Sequence, residues 1–285
     1  MSRKQKRSPS ISSLIDIVIT TGGRFDMLEK CLDALYREAQ TTPFSLFILD
    51  NASNAEERIQ NSHLFEYQPD RDEANGIREF RTKRLTQSAG FPVSNNEAAR
   101  MGRSPLILFL NDDVELHDGT LQTIVDTFND QTIGIVGMKL VFSPDSVSPI
   151  RPAGKTQHVG VELNIRGEPC HPLVGWTPTH PKTRISRDVF AVTGASLAIR
   201  RSIFNKIGGF NVAYGEGTFE DIELCIMTRQ LGHRVFVNVD ATGYHYTGAT
   251  QEKNKRGYPL KINQMQFQSR WASSGLLFWN EWIYY

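Results

Sequence analysis

Three short apolar segments, each cut off by a polar or glycine-bearing turn, constrain this chain more than any other feature. Ile15-Asp16-Ile17-Val18-Ile19-Thr20 ends at Thr21-Gly22-Gly23. Phe44-Ser45-Leu46-Phe47-Ile48-Leu49 runs into Asp50-Asn51-Ala52-Ser53, and Leu106-Ile107-Leu108-Phe109-Leu110 stops at Asn111-Asp112-Asp113. Runs this short and this apolar predict strands buried on both faces. Between the first two, Leu28, Cys31, Leu32 and Leu35 recur at helical spacing and predict an amphipathic helix over Phe25–Ala39. Strand, helix and strand in this order predict a parallel, Rossmann-like α/β sheet. Ligands of such sheets bind beyond the carboxyl ends of the strands. If the three strands are adjacent, their turns line one crevice.

The rest of the chain divides into a regular and an irregular part. Residues 70–84 are charged and predict a loop and a polar strand. Pro92 suits the first turn of a helix that Gly102 stops. Leu121, Ile124, Val125 and Phe128 mark a further helix, with a strand near residues 133–141. Residues 144–154 read as a Pro- and Ser-rich loop. Residues 168–187 hold four prolines together with His171, Trp176 and His180, and read as a functional or mobile loop. Residues 190–200 predict a strand region, and a short helix precedes the turn Gly208-Gly209-Phe210. A helix from about Phe219 stops at Gly232, and residues 233–239 alternate as a strand. The last segment is rich in aromatics: Phe278, Trp279, Trp282, Tyr284 and Tyr285.

Composition sets the outer bounds. The 285 residues suit one large domain or one domain with an appended subdomain, with 39% hydrophobic and 22% charged residues, which excludes a disordered or collagen-like chain. The net charge of +1 gives no global field for nucleic acid. Cys31, Cys170 and Cys225 are an odd number with no zinc spacing, and read as reduced thiols in the cytoplasm. No apolar run approaches the roughly 20 residues that span a bilayer. Residues 1–13, with Arg3, Lys4, Lys6 and Arg7, lack an apolar stretch and read as a disordered basic tail, not a secretory signal.

Three places carry candidate chemistry. Asp112 and Asp113 follow five apolar residues, a costly position for acids unless they face a cleft. Carboxylate oxygens there suit a hard divalent cation, which usually also takes substrate phosphates. A solvated turn at a strand end is the plain alternative. Glu220-Asp221 falls at a helix start, where the helix dipole favours acids in any case. An acid held ionised there and aimed at a cleft also accepts a proton from a hydroxyl. His245 lies just past the predicted last strand, as a structural or exposed histidine or as an imidazole among oxygen ligands.

Taken in order, these pieces resemble a known family. Asp50-Asn51-Ala52-Ser53, Ala89-Gly90-Phe91 with Asn96, Phe109-Leu110-Asn111-Asp112-Asp113, Val192-Thr193-Gly194-Ala195-Ser196-Leu197-Ala198-Ile199-Arg200-Arg201, Gly208-Gly209-Phe210, Glu220-Asp221-Ile222-Glu223-Leu224 and His245 are similar to glycosyltransferase family 2, in its rhamnosyltransferase-like branch. The resemblance covers residues 15–247. Each motif is weak alone, and seven in the right order are specific.

The resemblance implies a GT-A fold: a mostly parallel central sheet flanked by helices, with a smaller mixed region on the acceptor side. Residues 14–250 would form the domain, with 14–116 as the nucleotide-sugar half, 117–250 as the acceptor half, and 251–285 as an aromatic extension. It implies inverting transfer of a hexosyl or deoxyhexosyl group from a nucleotide-diphosphate sugar to an acceptor hydroxyl. Asp50 would contact the nucleoside. Thr20, Thr21, Arg24 and Asn96 would lie on the donor side. Asp113 matches the last acid of the DXD-type motif and would bind Mn²⁺ or Mg²⁺ with His245. Asp112 takes the middle position, and Asn111 stands where many relatives carry the first acid. Asp221 would be the catalytic base, with Glu220 beside it. Gln157-His158-Val159-Gly160-Val161 and His171 also match the branch, without an assigned role.

Two other classes compete. Thr21-Gly22-Gly23-Arg24 also resembles the phosphate loop of sugar nucleotidyltransferases, and a silent nucleotide-sugar-binding module would keep the same sheet. Release of nucleoside diphosphate rather than pyrophosphate separates the enzymes. For the acceptor, a glycan, lipid-linked or other hydroxyl is the first expectation, with a glycan foremost, and a nucleic-acid base, suggested by the basic tail, the second. The C-terminal aromatics would pack on the domain, join a second subunit in a homodimer, or lie on a membrane.

Overall fold

The computed structural model describes residues 14–68, 76–164, 168–247 and 259–271. The basic tail and the aromatic segment 275–285 lie outside them. In chain order the strands are β1 (Ile15–Thr21), β2 (Phe44–Asp50), β3 (Ile77–Arg84), β4 (Leu106–Asn111), β5 (Val114–Leu116), β6 (Ile133–Phe142), β7 (Thr156–His158), β8 (Glu162–Leu163), β9 (Pro169–Cys170), β10 (Arg187–Asp188), β11 (Ser196–Arg200) and β12 (Arg234–His245). The helices are α1 (Phe25–Ala39), α2 (Ala55–Gln60), α3 (Phe91–Ala99), α4 (Thr120–Thr127), α5 (Arg201–Ile207), α6 (Glu220–Gln230) and α7 (Leu260–Trp271).

The main sheet has the order β10-β12-β6-β11-β4-β1-β2-β3. The run β4-β1-β2-β3 is parallel, as the strand–helix–strand order predicts. β6 and β12 form a second parallel pair, and β11 joins the two halves antiparallel to both β4 and β6. The apolar strands are buried on both faces, and alternation sorts their side chains into two cores. Ile17 and Ile19 pack with Leu28 and Leu32 of α1, while Val18 and Phe109 pack with Phe204 and Phe210 on the other face. Phe109, Phe204 and Phe210 form a close aromatic triad with centroids 4.8–5.7 Å apart.

Four expectations shift. Gly102 does not stop a helix, since α3 already ends at Ala99. Its Cβ would fall 2.1 Å from Asp16 Oδ2, so the glycine permits a close backbone approach. Within residues 190–200 only Ser196–Arg200 is a strand of the main sheet. Val192 packs where a Cβ on Gly137 would stand, so the preceding segment crosses over β6. β12 continues past residue 239 through a register shift between Asn238 and Thr242, so His245 is its last residue. Finally, residues 260–271 form a helix that the aromatic content did not suggest. Among the described residues no helix is long and apolar enough to cross a membrane.

Candidate active site

β4 delivers the acidic turn to the middle of the sheet. Its apolar residues are buried, and Asn111 N–H donates to Ala195 O at 2.9 Å. The chain then folds back through β5, which pairs with the end of β12, Val114 opposite His245. Tyr246 N–H donates to Asp113 O at 3.0 Å and closes the junction. A strand that ends in two acids is thereby brought against a strand that ends in histidine.

Asp112 and Asp113 are both buried. Arg24, just before α1, donates from Nη1 to Asp113 Oδ2 at 2.9 Å and stands 3.9 Å from Asp112 Oδ1. Asp113 Oδ1 lies 3.2 Å from His245 Nε2. Burial alone would raise the pKa of Asp113, but His245 and Arg24 outweigh it and hold this carboxyl well below the usual range. Burial and the charge of Asp113 push Asp112 the other way, against Arg24 and a hydrogen bond from Thr21. The pair therefore separates into one firm anion and one reluctant acid.

The His245–Asp113 contact tests whether these residues suit a cation. His245 Nδ1 lies 3.1 Å from Gln157 Oε1, an acceptor, so Nδ1 carries a proton and Nε2 is the nitrogen turned to Asp113. Asp113 Oδ1 is buried and receives no hydrogen bond of good geometry. Two lone pairs facing each other at 3.2 Å repel unless a proton or a cation lies between them. A carboxylate oxygen and one imidazole suit Mn²⁺ or a similar ion. Among the described residues no group of three His, Cys, Asp or Glu could hold an ion. Diphosphate oxygens and water would complete the shell.

The second acidic site reaches the same end of the sheet by another route. Gly217, Thr218 and Phe219 all have positive φ, at 122°, 82° and 72°, and lead directly into α6. For Thr218 and Phe219 such a conformation costs about 1–3 kcal/mol each. Asp221 Oδ2 accepts from Gly194 N–H at 2.7 Å, and Oδ1 from Ile222 N–H at 2.8 Å. Ser196 pairs with Leu110, so Gly194 falls beside the acidic turn. Burial raises both carboxyls of the pair. Backbone hydrogen bonds restrain the rise of both, and Glu220 rises further because of the Asp221 charge. Glu220 Oε2 is buried without a hydrogen-bond partner.

The remaining donor-side candidates separate. Thr21 and Arg24 meet the acidic turn directly. Thr20 Oγ1 is 3.5 Å from Asn95 Nδ2. Asp50 is buried at the end of β2, 3.2 Å from Arg58 Nε and 3.4 Å from Arg84 Nε, and accepts from Ser53 N–H at 2.9 Å. A group that approaches Asp50 therefore meets two guanidinium groups as well. Asn96, expected on the donor side, has its amide engaged elsewhere. It donates to Phe210 O at 2.8 Å and accepts from Phe210 N–H at 2.9 Å, which clamps the Gly-Gly-Phe turn. Neighbouring Asn95 is the residue that points to β1.

Residues 168–187 are folded onto β7. Gly175 N–H donates to Thr156 O, and Thr156 N–H to Trp176 O, both at 2.8 Å. His171 Nδ1 meets His158 Nδ1 at 2.9 Å. The same short strand holds His245 through Gln157, so the strap and His245 share one support. The Gln157-His158 motif was visible in the sequence; its tie to His245, 88 residues away, was not.

Comparison with known proteins agrees with this geometry. The model of the family "Glycosyltransferase like family 2" matches residues 13–266. The O-antigen biosynthesis protein RfbC of Myxococcus xanthus is 28% identical over 247 residues, 83% of this chain and 18% of that protein. An uncharacterized protein, y4gI, of Sinorhizobium fredii is 26% identical over 243 residues, 84% of this chain and 25% of that one. The chain thus spans a quarter or less of the length of these relatives. Among solved structures, a Pyrobaculum calidifontis mannosyltransferase in complex with GDP-Man and Mn²⁺ aligns with TM-score 0.57 and 18% identity, over 89% of this chain and 61% of that one. GalNAc-T7 with UDP, GalNAc and Mn²⁺ aligns with TM-score 0.67 and 14% identity, over 91% and 49%. At these identities the likeness establishes the fold, GT-A.

Proposed function

The chain belongs to glycosyltransferase family 2, and from that premise we propose that it is an inverting, metal-dependent transferase, moving a hexosyl or deoxyhexosyl group from a nucleotide-diphosphate sugar to an acceptor hydroxyl. One observation carries the reading. A carboxylate–imidazole pair, Asp113 and His245, and a separately held carboxylate, Asp221, converge on one end of the sheet. Inverting transfer needs charge neutralisation on the departing diphosphate and a base on the attacking hydroxyl.

Asp113 and His245 would hold Mn²⁺ or Mg²⁺, which when bound supplies positive charge to the leaving diphosphate. Arg24 adds a fixed cation, and Asp112 orients the turn. Asp221 accepts the proton of the acceptor hydroxyl as its oxygen attacks the anomeric carbon. Its two backbone hydrogen bonds favour the ionised form, while burial raises its basicity. Glu220 is pushed higher still, so the pair carries its first negative charge on Asp221. The donor-side residues are Thr20, Thr21, Arg24 and Asp50. The O-antigen relative supports a glycan as acceptor. The free cysteines support a reducing compartment such as the cytoplasm.

Incubation with UDP-GlcNAc and with GDP-mannose, each with Mn²⁺, tests the reading. Nucleoside diphosphate should appear, vanish with chelator and return with added Mn²⁺ or Mg²⁺. Pyrophosphate as the product would make the protein a nucleotidyltransferase. Undiminished turnover by Asp113→Ala would remove the metal site.

A further inference from the structure

Asn263, on the C-terminal helix α7, is buried, with 3% of its surface exposed. Its Nδ2 lies 2.7 Å from Gly217 O, 2.9 Å from Tyr214 O and 3.1 Å from Thr218 Oγ1. The first two are carbonyl oxygens, which only accept, so the amide must present its nitrogen here. Every one of these partners lies in the turn that leads into α6. That turn runs through three consecutive positive φ values, at Gly217, Thr218 and Phe219, immediately before Glu220 and Asp221. A β-branched and an aromatic residue keep such a conformation only where their surroundings hold it.

A second tie joins the same two helices further along. Glu223 of α6 accepts from Trp271 Nε1 at 3.2 Å and lies 3.3 Å from Arg270 Nε, both on α7. It also accepts from Tyr214 Oη and Asn211 Nδ2, so one carboxylate gathers both sides of the turn. Glu223 fixes the body of α6, and Asn263 fixes its entry.

We propose that Asn263 is a positioning residue for transfer: it holds the left-handed turn 217–219 and thereby aims Asp221 at the acceptor hydroxyl. The inference rests on the assignment of Asp221 as base. Without the amide, Thr218 and Phe219 relax toward negative φ and the first turn of α6 moves. Asp221 then keeps its chemistry but loses its alignment, and misplacement of about 1 Å costs about 10²-fold in rate. The donor side, built on β1, β2 and β4, is untouched.

The test compares Asn263→Ala, Asn263→Ser, Trp271→Phe and Asp221→Asn in the full chain. Turnover is read as nucleoside diphosphate release from UDP-GlcNAc or GDP-mannose with Mn²⁺. Binding of UDP with Mn²⁺ is measured separately, and amide hydrogen exchange over residues 215–222 gives a readout independent of any donor. Asn263→Ala should lower kcat by about 10²-fold, leave UDP binding unchanged and speed exchange in that stretch. Asn263→Ser keeps one donor, should lose less, and serves if the alanine variant does not fold. Trp271→Phe loosens the Glu223 tie alone and should keep most of kcat. Adding Thr218→Gly to Asn263→Ala should recover part of kcat, because glycine takes positive φ without penalty. Unchanged kcat, unchanged exchange, or a loss of UDP binding equal to the loss of kcat overturns the proposal. If Asp221→Asn itself keeps kcat, the base assignment has failed instead.

Discussion

At the level of single residues, the two adjacent acids differ in their surroundings. Asp221 receives two backbone N–H groups, while Glu220 Oε2 is buried without a partner. Asp221→Asn keeps the shape and removes the proton acceptor, so kcat should fall about 10²–10⁴-fold with UDP–Mn²⁺ binding near wild type. Glu220→Gln should do less harm. The reverse order in steady-state kinetics would exchange the two roles. Asn96 supports a second prediction of opposite kind. Its amide satisfies both polar groups of Phe210, so Asn96→Ala leaves a buried N–H and C=O unpaired. Each such orphan costs about 1–3 kcal/mol. Chemical denaturation should show that loss, while UDP binding stays unchanged. The family resemblance is what put Asn96, together with Ala89-Gly90-Phe91, on the donor side. Which way an amide turns is settled by the Gly208-Gly209-Phe210 turn, more than a hundred residues away.

At the scale of elements, strands and helices with clean periodicity were legible, and those shaped by distant contacts were not. α1 lies at its predicted bounds, because its apolar residues recur on one face. α7 buries Asn263, Phe267 and Trp271 while Leu260, Ile262 and Met265 face solvent, so its pattern carries no helical signal. The strap over residues 168–187 has no pattern at all, and backbone pairing with Thr156 orders it. Two predictions follow from that docking. Trp176 on this strap is 41% exposed; Trp176→Ala should raise the acceptor KM and leave UDP binding alone. His158 is buried, and burial together with His171 and His245 depresses its pKa well below the ordinary value. It stays neutral in the fold, whereas in the unfolded chain it takes up a proton below about pH 6.5. The unfolded state then binds more protons, so stability should fall as pH drops through that value, by at most about 1.4 kcal/mol per unit. Thermal melts from pH 7.5 to 5 should show this slope, and His158→Gln should flatten it. An equal slope in both proteins would mean that other groups carry the acid sensitivity.

At the scale of the whole molecule, the site exists because two halves of the sheet meet at β11. The parallel half supplies Arg24, Asp112 and Asp113. The other half supplies His245 from β12, and Asp221 is tied to Gly194 just before β11. The three apolar strands and their turns announced the first half plainly. The second half was readable only as motifs, because the β5–β12 pairing that brings His245 to Asp113 joins segments about 130 residues apart. A ligand that spans the junction should therefore stabilise both halves together. On the proposed assignment Mn²⁺ alone would meet Asp113 and His245 without the diphosphate oxygens, and UDP alone would meet Arg24 and the ends of β1 and β2 without the cation. Together each completes the other's contacts, so their joint effect on melting should exceed the sum of the separate shifts. At about 100 times Kd, binding to the folded state adds about 2.7 kcal/mol, a rise of roughly 5–10 °C for a domain of this size. In Asp113→Ala, UDP should keep its own small shift while the added effect of Mn²⁺ disappears. Additive shifts in the wild-type protein, or an undiminished Mn²⁺ effect in Asp113→Ala, would place the cation away from the β4–β12 junction.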